Sequence, residues 1–120
     1  MEEKVVVDPK DAQDNKIMGI LAYLGILVLV PIFAAKESPF ARFHANQGLV
    51  LLIAYIAAYI AIAILGAILA IVSYTLLLLV TFLYAAIGIG ILVFAIIGII
   101  NAVNGVMKEL PLIGNIKILK

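Results

Sequence analysis

Between Phe43 and Met107 the chain contains no Asp, Glu, Lys or Arg. A soluble core helix breaks such a run every few residues, because one of its faces meets water. With no polar face of that kind, an ordinary soluble bundle is excluded. Cysteine is also absent, which removes disulfides and thiol chemistry while leaving the compartment open. One histidine without cysteine argues against a protein metal site, and nothing in the pattern calls for a cofactor. Charged residues make up only 12% and the net charge is +1, with no dense basic patch, so no nucleic-acid partner is expected. The apolar stretches hold no carboxylate, so they offer no acid/base pair, carboxylate proton relay or cation cage. His44 falls at the opposite membrane face from Ser73, which leaves that serine without a histidine, and Tyr55 and Tyr59 read as packing residues. A non-enzymatic protein is expected.

What remains is apolar: 67% of 120 residues, enough for one small domain and far from the usual soluble balance. The pattern predicts an all-α fold, a polytopic transmembrane helical bundle whose first partner is the lipid bilayer. Residues 1–16 read as a polar and largely mobile leader, with Asp8-Pro9 breaking any early helix. Asp14 or Asn15 is placed to cap the helix after it.

Residues 17–35 are uncharged between Lys16 and Lys36, and as one helix they would reach about 28 Å, close to a hydrocarbon core of roughly 30 Å. The acidic leader does not suit a secretory signal, so this reads as a retained first span with a kink at Pro31. A second span is expected over 47–72 and a third over 76–104, joined by a turn at Ser73-Tyr74-Thr75. Ala54, Ala57, Ala58 and Ala61 offer a close-packing stripe on the second. The third is too long to stand upright and is expected to bend at Gly88 and Gly90, with Gly98 and Ala102 as a further close-packing face. Asn104-Gly105 supplies its stop. A four-span alternative, with turns near Gly66 and Gly88, leaves almost nothing for the turns themselves.

Lys36, Arg42, Lys108, Lys117 and Lys120 then share one side, against Lys4, Lys10 and Lys16 on the other. That bias places the C-terminus in the cytoplasm and the N-terminus outside a multi-pass cell-membrane protein. Residues 106–120, broken by Pro111 and Gly114, read as a cytoplasmic tail lying on the membrane surface.

The polar segment Lys36–Gly48 carries most of the local information. Ser38 is a helix cap and Pro39 a first helical residue, with Glu37 suited to the positive end of the helix. Phe40, Arg42 and Phe43 have the character of interfacial anchors at a span entrance. Antiparallel packing of the second and third spans brings His44, Asn46, Gln47, Asn101 and Asn104 to one layer. Two readings of that layer are open: hydrogen-bonded glue between helices, or a polar vestibule for a peptide or small solute.

The motif Ser38-Pro39-Phe40-x-Arg42-Phe43-His44-x-Asn46-Gln47-Gly48 resembles the signature of a family of small prokaryotic membrane proteins of mostly unknown function. That family is similar to the small membrane subunit of the chloroplast inner-envelope import translocon (Tic) and to magnetosome proteins of the MamF type. Ile97–Ala102 and Leu110–Gly114 supply a second, less specific match. The resemblance implies a helical membrane protein without a known reaction and, from the plastid relatives, a part in polypeptide transport within a complex. Together these point to a translocon-like or membrane-assembly component working as a homo-oligomer or with other membrane proteins. The alternative is a small-solute channel or transporter formed by a homo-oligomer around the polar layer.

Overall fold

A computed structural model describes residues 7–119. Helix α1 (Pro9–Asp14) and helix α2 (Lys16–Leu21) lead into a 3-10 turn, Gly25–Val28, and helix α3 (Leu29–Ala34). Two long helices come next, α4 (Pro39–Val72) and α5 (Leu77–Val103), joined through the 3-10 turn Tyr74–Leu76. All regular structure among the described residues is helical.

Local chemistry sets the ends of the long helices. Ser38 Oγ accepts from the Ala41 amide at 3.0 Å, and Pro39 occupies the first helical position, where a missing N–H leaves no bond unmade. Ser73 closes α4 in an extended conformation, so the turn lies at the expected three residues. At the far end Gly105 takes φ +71°, with Gly105 N–H bonded to Ala102 O and Val106 N–H to Asn101 O. That pair of bonds is a Schellman stop.

Helices α4 and α5 form an antiparallel hairpin of about 51 and 40 Å. Both run without interruption past Gly66 and Gly88, where the four-span alternative places turns. The four-helix division is therefore overturned. Gly66 instead faces Val80 inside the hairpin, where an added Cβ would lie 3.2 Å from Val80 Cγ1, and Gly88 and Gly90 face outward with nothing against them. Of the alanine stripe, Ala54 and Ala58 are half-buried and Ala57 and Ala61 exposed. Beyond Leu51 only Ile62 and Gly66 of α4 are buried. Large apolar side chains there stand bare: Ile71 is 87% exposed and Phe82 72%. Helices apolar on every side and longer than a hydrocarbon core is thick belong in lipid.

The expected single helix over 17–35 is corrected to a bent-back segment. Helix α2 stops at Ala22, and Gly25 at φ +65° makes the turn that sends α3 back along α4. Pro31 does not make the bend. It sits in the first turn of α3, beyond the turn at Gly25, and it is fully buried. Two close approaches hold the bend in place. Any side chain on Gly48 would collide with the Ala22 carbonyl, and any on Gly98 with the Tyr23 ring. Ala22 and Tyr23 are buried there against α4 and α5.

Of the leader expected over 1–16, Pro9–Asp14 forms α1, packed on α4, and Lys16 opens α2; residues 1–6 lie outside the described residues. Asp8-Pro9 begins a helix instead of breaking one, with Asp8 Oδ1 accepting from the Lys10 amide at 3.0 Å. Asn15 precedes α2 but caps it with no side-chain bond; its amide donates to Asp11 at 2.9 Å. A Cβ on Gly105 would lie 3.5 Å from Ala12, so α1 and the stop after α5 meet at the same end of the hairpin.

Candidate functional site

That shared end, the base, is where the polar side chains gather. His44, Asn46, Gln47 and Asn101 are all buried there, and no buried side-chain nitrogen or oxygen among the described residues lacks a partner. Their partners are not one another. Asn46 donates to Ile116 O at 2.8 Å and accepts from the Ile118 and Leu119 amides at 2.6 and 3.0 Å. Gln47 donates to Gly114 O and accepts from the Leu110 amide, both at 2.8 Å. Asn101 donates weakly to Lys108 O at 3.4 Å. Asn104 is exposed at the end of α5 and stays outside the cluster.

The expected helix-to-helix glue is thus corrected: the amides hold the backbone of the tail. The reason is geometric. Each carboxamide presents one donor edge and one acceptor edge, which matches an irregular chain whose own N–H and C=O groups lack secondary-structure partners. The tail is threaded through the base by these bonds. Leu110 is buried, and Leu110–Gly114 forms a tight turn with Gly114 N–H bonded to Leu110 O at 3.0 Å. Exposed Leu112, Ile116 and Ile118 leave the tail an outward apolar edge.

His44 joins three parts of the molecule. Its Nε2 lies 2.8 Å from Val106 O and its Nδ1 2.6 Å from the Tyr23 hydroxyl. A carbonyl can only accept, so Nε2 carries the proton and Tyr23 donates to Nδ1. Tyr23, Phe40 and Phe43 surround the imidazole edge-on, with centroids 5.6, 4.6 and 5.3 Å away. Both ring nitrogens are engaged, and no carboxylate is among these partners.

Phe40 is corrected from interfacial anchor to core residue: it is fully buried with Ala12 and Ala102. Phe43 is half-buried and carries the Lys117 ammonium over its ring at 5.6 Å; Arg42 is half-buried too.

Sequence reasoning missed two residues, Tyr23 and Asp11. Tyr23 lies in a run that reads as lipid-facing, and only the turn at Gly25 brings it to His44. Asp11 takes the place expected for Glu37, which is exposed. Its carboxylate accepts from Ser38 Oγ at 2.6 Å and from the Phe40 amide at 3.0 Å. Partial burial alone would raise the Asp11 pKa, but the bonds from Ser38, Phe40 and Asn15 outweigh it and hold the carboxyl below its ordinary value. Asp8, Asp11 and Glu37 border open grooves at this end. Among the described residues no three His, Cys, Asp or Glu side chains come together in a metal-binding arrangement.

A profile of the magnetosome magnetite crystal formation protein family (MamF/MmsF) matches residues 14–119. The magnetosome protein MamF of Magnetospirillum gryphiswaldense is 28% identical over 119 residues, covering 97% of this chain and 96% of the relative. In Paramagnetospirillum magneticum, the magnetosome protein MmsF is 29% identical over 81% of this chain and 79% of its own length. The MamF protein of the same organism is 31% identical, over 82% and 78%. No solved structure matches the chain. These matches carry the magnetosome half of the motif's resemblance and not its plastid half.

Proposed function

The chain belongs to the magnetosome magnetite crystal formation protein family, and on that premise we propose that it is a non-enzymatic, membrane-embedded component of a mineral-forming compartment. It crosses the bilayer twice, through α4 and α5, with the base and both ends of the chain in the cytoplasm. The supporting observation is the separation of charge from oil. All eight Lys and Arg and all seven Asp and Glu precede Phe43 or come after Met107, and none falls at the Ser73-Tyr74-Thr75 tip. Positive residues on one side only give a stronger orientation than the five-to-three division of a three-span arrangement.

Its work is assembly, with further copies of itself or with other membrane proteins. The base presents a pinned tail and the hairpin presents bare apolar faces. A channel reading has less beneath it, because the amides that would line a solute path are bonded to the tail. The translocon-like reading rests on the plastid resemblance alone.

Single cysteines introduced at Lys10, Ser73 and Lys117 test the topology in a chain with no native thiol. Labelling of Lys10→Cys and Lys117→Cys from the cytoplasmic face only, and of Ser73→Cys from the other, is expected. Cross-linking in native membranes tests the assembly role; a chain recovered only as monomers without partners would end it.

A further inference from the structure

Lipid can cover any hydrocarbon side chain of the hairpin, but it cannot bond a hydroxyl inside the bilayer. Acyl chains offer neither donor nor acceptor, and water is absent at that depth. Thr81 meets this by donating to Leu77 O at 3.1 Å within its own helix. Three tyrosines have no such route. The hydroxyls of Tyr55 and Tyr59 on α4 and of Tyr84 on α5 make no hydrogen bond with any described residue.

These three side chains form one face. The Tyr55 and Tyr59 rings lie 6.1 Å apart on successive turns of α4, and Tyr59 meets Tyr84 across the hairpin at 4.9 Å. Tyr59 is 50% exposed and Tyr55 38%, with Tyr84 half-buried. Counted from the tip at 73–75, Tyr84 stands about 14 Å and Tyr59 about 21 Å along the hairpin, inside a hydrocarbon core of roughly 30 Å. Neither hydroxyl reaches the headgroups from there. Tyr55, about 27 Å from the tip, lies near the base-side boundary.

We infer that the face bearing Tyr55, Tyr59 and Tyr84 docks a second copy of this chain, hydroxyl against hydroxyl inside the bilayer. Two copies inserted in the same orientation are related by a two-fold axis along the membrane normal, so each residue meets its own counterpart at equal depth. Most charged groups cannot pair with themselves across such an axis, because an ammonium only donates and a carboxylate only accepts. A phenol does both, so Tyr59 bonds to Tyr59 of the second copy and Tyr84 to its counterpart. This rests on the crossing of α4 and α5 proposed above and names the surface through which that assembly is made.

The test uses the full chain in the membranes of cells that produce it, where all copies share one orientation. Ala63→Cys, exposed one turn from Tyr59 toward the tip, reports on the face; Ala57→Cys, exposed on the opposite side of α4, reports on its back. Mild oxidation is expected to link Ala63→Cys into a dimer at several times the yield of Ala57→Cys. Equal yields, or a higher one from Ala57→Cys, overturn the face. A linked product whose mass is not twice that of the chain assigns the face to another protein and overturns the second copy. Adding Tyr59→Phe and Tyr84→Phe to Ala63→Cys keeps both rings and removes only their hydroxyls; the yield is expected to fall several-fold. Adding Tyr74→Phe at the tip, where water is at hand, is expected to leave it unchanged. An undiminished yield in the Tyr59 and Tyr84 variant shows that the hydroxyls do not hold the pair, and the inference falls. In each of these failures the assembly role survives, since it ends only when the parent chain is recovered from native membranes as monomers without partners.

Discussion

The first third of α4 and the remainder of the same helix are continuous, yet they are packed by different means. From Phe40 to Leu51 nearly every residue is buried, against α1, the bent-back segment, α5 and the tail. From Leu52 to Val72 only Ile62 and Gly66 are buried, and most of the other side chains are exposed. The base coheres through fit: Gly48 under the Ala22 carbonyl, Gly98 under the Tyr23 ring, amides matched to the tail's backbone. The far half contains little that would be specific in water and leaves its surface to lipid. Burial by protein thus begins where burial by lipid stops, so one helix serves two solvents.

The sharpest way to break this contrast is a methyl group placed in each half. Gly48→Ala puts a Cβ into the Ala22 carbonyl, so backbone must move; we expect a loss of about 3 kcal/mol or more, read by thermal unfolding in detergent. A stability within error of the parent would mean that the bend is not held as described. Next comes Gln47→Leu, which leaves Leu110 N–H unpaired and Gly114 O with only the long Lys117 contact at 3.4 Å, a loss of about 1–3 kcal/mol. Trypsin cleavage at Lys117 should accelerate in this variant while α4 and α5 stay intact, and unchanged cleavage would detach the tail from Gln47.

A smaller effect is expected from acid at the rim of the base. Asp11 has a folded pKa below its ordinary 3.8, so its contribution is fully present above that value and is lost as pH falls through the lowered one. Hydrogen exchange at residues 9–14 should therefore rise below about pH 4 in the parent, and Asp11→Asn should flatten that rise. The smallest effect belongs to the far half. Gly88→Ala meets open space and should change stability by less than about 1 kcal/mol, in the stabilising direction. A large loss there would show that Gly88 packs against something in the membrane and would erase the contrast.

Legibility in the sequence divides along the same line. Ser38-Pro39, Ser73-Tyr74-Thr75 and Asn104-Gly105 are legible because capping and stopping depend on neighbouring residues. The long helices are legible from charge-free length. His44, Asn46, Gln47 and Asn101 fall in one layer on sequence grounds alone, since antiparallel register fixes depth. Their partners are not legible, because the tail that meets them has no periodicity to trace. Length also misleads at 17–35: nineteen apolar residues count as a span, whereas a single left-handed residue at Gly25 decides whether they form one. Phe40 and Asp8-Pro9 fail for a related reason. An aromatic at a span entrance and an Asp-Pro pair each have two common uses, and only tertiary neighbours choose between them.

The uncharged tip bears on how the chain enters its membrane. Carrying only Ser73, Tyr74 and Thr75 at its point, the hairpin has no ionised group to drag through hydrocarbon during synthesis. In the proposed two-crossing arrangement both limbs would slip in together from the ribosome's side, while every charged residue stayed behind in water.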